Sequence, residues 1–217
     1  MKRSIEAVIF DMDGLIIDSE PLWRKAEIKA FKDIGFQFTE QMCIQTMGMR
    51  IDQVVHYWWK KLQWKNPEES AIVESIQSKM IDLIQKKGVL LPGVLDSLKL
   101  LKENNIPIAL ASSSAMILIN TVIETLKIKP YFNVIHSAEN EPAGKPDPSV
   151  FLSTAKSLNI KPSKCLVLED SKAGMEAGLN ATMRTIVIPE KGSNPKWCNK
   201  AHNKLNSLNE FSLDLLY

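Results

Sequence analysis

The chain reads as an α/β protein, a parallel sheet with a helical insertion, and three observations predict it. Short apolar runs alternate with helical patterns. One long stretch after the first run contains helical patterns only. Polar, chemistry-bearing residues follow the apolar runs directly. Residues 5–10 (IEAVIF) give the first strand, ended by Asp11-Met12-Asp13-Gly14. Residues 106–111, 133–136, 165–168 and 184–188 give four more. Between them lie helical patterns over 94–104, where Leu95, Leu98 and Leu101 recur at helical spacing, over 117–126 and over 148–158. Strands alternating with helices imply βαβ units and a mostly parallel sheet.

Residues 16–88 break the alternation. Pro21 opens a helix at a position where proline is tolerated. Residues 51–62 carry Val54, Val55, Trp58, Trp59 and Leu62 on a broad apolar face, and a third helix runs from Pro67 to Gly88. Residues 1–15 and 89–217 then form the α/β core, and 16–88 a helical domain inserted after the first strand. Trp58 and Trp59 belong to the packing of that insertion. The tail from residue 192 is polar at first, then weakly helical.

Composition narrows the classes of function. With 217 residues, 45% hydrophobic and 24% charged, the chain holds enough apolar material for a packed core and too much for disorder. A net charge of +2, made of interspersed signs, argues against nucleic acid and membrane surfaces as partners. The apolar run after the basic start is four residues long, too short for a signal peptide or a membrane span. Three scattered cysteines, Cys43, Cys165 and Cys198, with no C-x-x-C pair, fit a reducing cytoplasm. A monomer is expected.

In parallel α/β sheets ligands bind beyond the carboxyl ends of the strands. There the sequence places Asp11 and Asp13 after the first strand and Ser112, Ser113 and Ser114 after the second. Lys145 in Gly-Lys-Pro-Asp-Pro follows the third, and Glu169 and Asp170 follow the fourth. Four carboxylates at one edge repel one another, and a hard divalent cation such as Mg²⁺ relieves that. Lysine and hydroxyls beside it suit a phosphate. A carboxylate can attack phosphorus, and a second can move the proton.

These residues resemble the four motifs of the haloacid dehalogenase superfamily, in order and across the whole chain. The resemblance implies a Rossmann-like core with a helical cap and Mg²⁺ as cofactor. It implies that Asp11 is nucleophile and metal ligand. Asp13 would be general acid/base, with its backbone carbonyl on the metal. Ser112, with Ser113, and Lys145 would bind the transferring phosphate. Glu169 and Asp170 would be the acidic metal pair, with Gly174 allowing close packing behind them. The second aspartate favours phosphoryl transfer over dehalogenation. The strings DGLIIDSEPLW and GMRIDQVVHYW resemble the sugar-phosphatase branch of the β-phosphoglucomutase-like subfamily, nearest the 2-deoxyglucose-6-phosphate and hexitol-phosphate phosphatases. That implies a small sugar or sugar-alcohol phosphate as substrate, hydrolysed through an aspartyl-phosphate. Glu20, Arg50 and Lys79 are the candidate substrate contacts from the cap. The alternative is a β-phosphoglucomutase, which shares every core residue. Ser19 and Glu20 favour hydrolysis.

Overall fold

In a computed structural model, residues 4–190 and 192–217 are described. The basic start at Met1–Arg3 and Lys191 lie outside them. Six strands, β1 (Ala7–Phe10), β2 (Ile108–Ser112), β3 (Val134–Ser137), β4 (Cys165–Glu169), β5 (Arg184–Val187) and β6 (Asn203–Lys204), form one sheet. Its order is β3-β2-β1-β4-β5-β6, and every pairing is parallel. The five strands expected from the sequence are present to within two residues at either end. β6 is the addition: two polar residues on the open edge give no apolar run to read.

Successive side chains of a strand point to opposite faces, so the continuous apolar runs feed two cores. Val8, Phe10, Leu110, Leu166 and Leu168 pack on one face with α5 (Val94–Glu103) and α6 (Met116–Thr125). Ala7, Ile9, Ala109, Cys165 and Val167 pack on the other with α7 (Ser149–Leu158) and α8 (Lys172–Asn180). All three cysteines are free and buried.

Between β1 and α5 the chain forms α1 (Glu20–Asp33), α2 (Glu40–Gln45), α3 (Ile51–Leu62) and α4 (Glu69–Lys87). The helix α2 went unread because six residues are too few to show a period; its start is capped by Thr39, whose hydroxyl accepts from the Met42 amide. The insertion has an aromatic centre: Phe31 stacks on Phe38 at 4.1 Å, and Trp58 and Trp64 meet them edge-on. Trp58 is buried there as expected, whereas Trp59 lies at the surface and donates its indole N–H to the Trp64 carbonyl. The two crossings to the core run side by side, with Ile17 bridged to Leu90 and the Leu91 amide donating to the Ile16 carbonyl. No helix among the described residues is long and apolar enough to cross a membrane.

Candidate active site

Register sets the site. Phe10 pairs with Leu168 across β1 and β4, so Asp11 emerges level with Glu169 at the carboxyl edge. β2 ends beside them at Ser112. The third contributor, Lys145, arrives from the loop between β3 and α7 and is 4% exposed. Its Nζ donates to Asp11 Oδ1 at 2.5 Å and to Glu169 Oε1 at 2.6 Å, with the Phe151 ring centroid 4.9 Å away. Burial opposes the lysine's charge, but Asp11 and Glu169 outweigh it and hold its pKa above the ordinary lysine value.

The acidic side is crowded. One carboxylate oxygen from each of Asp11, Glu169 and Asp170 lies within 4.8 Å of the other two. Burial pushes the Asp11 carboxyl up to about 8, against the pull of Lys145 and with Glu169 and Asp13 adding to it. Asp170 is raised well above the usual carboxylate range by burial, then by Glu169 and Asp11. One ammonium does not neutralise three carboxylates, two of them buried and the third partly so. The all-oxygen donor set is what a hard divalent cation requires, so the residues fit such an ion.

Glu169 differs from its neighbours in having both oxygens engaged. Oε1 takes Lys145, and Oε2 accepts from the Asp170 amide, the Ser171 amide and the Ser171 hydroxyl, each at 3.0 Å. It fixes the lysine and the turn into α8. Gly174 makes room for it: a Cβ there would lie 1.7 Å from Glu169 Oε1. Gly14 serves the same purpose after Asp13. Its φ is +73°, and an added Cβ would lie 2.1 Å from Asp170 Oδ2.

The Asp13 side chain stands outside the acidic cluster. Its Oδ1 accepts from Ser19 Oγ at 2.7 Å and Trp23 Nε1 at 2.8 Å, its Oδ2 from Ser114 Oγ at 2.8 Å and, more weakly, Ser112 Oγ at 3.4 Å. Core and insertion therefore share its orientation. Trp23 was not anticipated; only its place one turn after Ser19 hints at it. Ser114 binds Asp13 and does not cap α6, whose cap position is Ala115. Removing the indole donor should cost about the worth of one hydrogen bond to a charged group, roughly tenfold in rate. Trp23→Phe is expected to lower kcat by about that factor with little change in KM, read from steady-state kinetics; a change confined to KM would contradict a positioning role.

A cleft between core and insertion joins these groups. Asp11, Asp13, Ser112, Ser113, Ser114, Lys145, Glu169 and Asp170 form its floor. Ser113 Oγ is buried without a partner among the described residues, a free donor beside the cluster. The roof includes Glu20, Trp23, Arg24, Glu27, Thr46 and Met49. Glu20, expected near the substrate, does line the cleft, and its carboxyl is raised to about 7 by burial and then by Asp13. Arg50 and Lys79 do not line it. Arg50 chelates Asp52 at 2.7 and 2.8 Å and donates from Nη1 to the core carbonyls of Ala138 and Glu141, so it ties the insertion to the core. Lys79 pairs with Asp33 at 3.4 Å and donates to Ser75, where α4 packs against α1.

The comparisons agree with this geometry. A family model described as haloacid dehalogenase-like hydrolase matches residues 8–188. Hexitol phosphatase B of Escherichia coli K12 is 39% identical over 99% of this chain and 98% of its own length. A phosphorylated carbohydrates phosphatase of Thermotoga maritima is 32% identical over 84% of each chain. Among solved structures, a β-phosphoglucomutase of Clostridium difficile superposes with a TM-score of 0.84 at 29% identity, covering 97% of this chain and 95% of that one. The chain belongs to the haloacid dehalogenase-like hydrolases.

Proposed function

We propose that the protein is a Mg²⁺-dependent phosphatase of small sugar or sugar-alcohol phosphates, with residues 16–88 acting as a cap over the reacting groups. The observation that carries it is the buried Asp11–Lys145–Glu169 triad beside Asp170, at the foot of a cleft whose walls carry hydroxyl donors. Asp11 and Asp170 are the carboxylates with oxygens left to hold the ion, while Glu169 spends its own on Lys145 and the α8 turn. The bound ion would neutralise the crowded carboxylates and charge on the phosphoryl oxygens.

Asp11 attacks phosphorus, and the ester P–O bond breaks. Asp13, in its protonated form, gives its proton to the departing alkoxide oxygen. Lys145, Ser112 and Ser113 hold the equatorial oxygens as charge builds on them. Asp13, now a carboxylate, takes a proton from water as that water attacks the aspartyl-phosphate. Inorganic phosphate leaves and Asp11 is restored. The cap excludes bulk water during both steps.

The mutase alternative requires a cap that retains a bisphosphate. Arg50 and Lys79, the cap cations expected as substrate contacts, are engaged elsewhere and offer no second phosphate a hold, which favours hydrolysis. Phosphate release from hexitol phosphates, 2-deoxyglucose 6-phosphate and β-glucose 1-phosphate, with Mg²⁺ and then with EDTA, tests the proposal. Release from hexose or hexitol phosphates that EDTA abolishes is expected. Glucose 6-phosphate formed from β-glucose 1-phosphate without phosphate release would replace the phosphatase by the mutase.

A further inference from the structure

One carboxylate in the cleft takes no part in the chemistry above. Glu27, in the middle of α1, is 6% exposed, and its Oε2 is buried with no hydrogen-bond partner among the described residues. The weakly donating Cys43 thiol of α2 lies against it. A buried carboxylate lacking donors is costly, and native proteins seldom keep one without reason. It lies on the cleft wall with Glu20, Trp23, Arg24 and Thr46. Positions 20, 24 and 27 share one face of α1, because residues three and four apart stack on a helix.

We propose that Glu27 determines specificity: its carboxylate, short of donors on the cleft wall, accepts a hydrogen bond from a substrate hydroxyl. The inference rests on the phosphatase reading and narrows its substrate class. Two carboxylates, Glu20 and Glu27, face the upper cleft against one guanidinium, Arg24. Such a wall repels a second phosphate and suits a neutral, hydroxylated tail. The favoured ligand is therefore a monophosphate of a polyol or sugar, with bisphosphates and sugar acids disfavoured. Burial raises the Glu27 carboxyl to about 7, with Cys43 opposing and Glu20 adding, which marks the same unmet need for a donor.

The test uses the full chain with Mg²⁺, two variants, Glu27→Leu and Glu27→Gln, and three esters. These are sorbitol 6-phosphate, glucose 1,6-bisphosphate and p-nitrophenyl phosphate, which carries no hydroxyl tail. Glu27→Leu is expected to lower kcat/KM for sorbitol 6-phosphate by about 30-fold, mainly through KM, and to change it less than about threefold for p-nitrophenyl phosphate. Glu27→Gln keeps an acceptor and should recover part of the loss. Neither variant should melt below the parent at pH 8, since each removes an unpartnered buried charge. Equal losses on both esters, or a fall in Tm for both variants, would overturn the proposal. So would a parent enzyme that prefers the bisphosphate, or that cleaves p-nitrophenyl phosphate but no polyol phosphate, although the phosphatase reading would survive these. A parent that releases phosphate from none of the three refutes the phosphatase reading itself.

Discussion

Replacing Asp11 by Asn is expected to reduce kcat by about 10⁴-fold or more while leaving the protein folded. The amide keeps the shape of the side chain but not its nucleophilic oxygen, and losses of that order follow removal of a covalent nucleophile. Folding should survive because Lys145 retains Glu169 at 2.6 Å, and because Asp11 is 5% exposed with its carboxyl already raised to about 8. Phosphate release and a circular dichroism melt check both halves. The parent, quenched in acid during turnover, should yield a phosphorylated peptide containing Asp11. A variant within tenfold of the parent rate would remove Asp11 from the role of nucleophile.

Lys145→Met should produce the largest loss of stability together with loss of activity. The ammonium is the sole cation within 4 Å of Asp11 and Glu169 among the described residues, and the three side chains are almost wholly enclosed. Breaking a buried ion pair by deleting one partner leaves uncompensated charge and costs about 3–5 kcal/mol, more than the pair itself contributes. Glu169 is worse placed than Asp11, since it is fully buried. The double variant Lys145→Met, Glu169→Gln should therefore regain a substantial part of the loss in a urea titration, yet no activity, because the ammonium that holds the phosphoryl oxygens is still missing. A single variant as stable as the parent would mean that the two carboxylates are protonated in the native protein.

The core of this site is legible in sequence for a physical reason. Strands of a parallel sheet are buried on both faces, so each appears as an unbroken apolar run, and the residue that ends the run is the residue at the ligand-binding edge. Asp11, Ser112 and the Glu169-Asp170 pair can be located that way. Side-chain direction in the insertion cannot. Arg50 has the charge to meet a substrate, but the two core carbonyls that capture it lie 88 and 91 residues away in sequence. Glu169 and Asp170 look equivalent as neighbours, and only the Lys145 ammonium and the Ser171 turn distinguish them. Glu27 did leave a trace. It stands among Ala26, Ala30 and Phe31, a carboxylate among the buried, otherwise apolar positions of α1.

The paired crossings at Ile17 and Leu90 give the insertion the character of a cassette. Its two ends leave and re-enter the core at one place, so another module with adjacent ends could be seated there without moving β1, β2 or β4. Of the residues lining the cleft, the Asp11, Ser112, Lys145 and Asp170 groups belong to the core, and the wall across from them comes from α1, α2 and the segment after α2. Under the proposed function, selectivity and chemistry would therefore be exchangeable separately. The exception is Asp13, which takes two of its hydrogen bonds from Ser19 and Trp23, so a transplanted cassette must bring equivalents of that hydroxyl and that indole to operate.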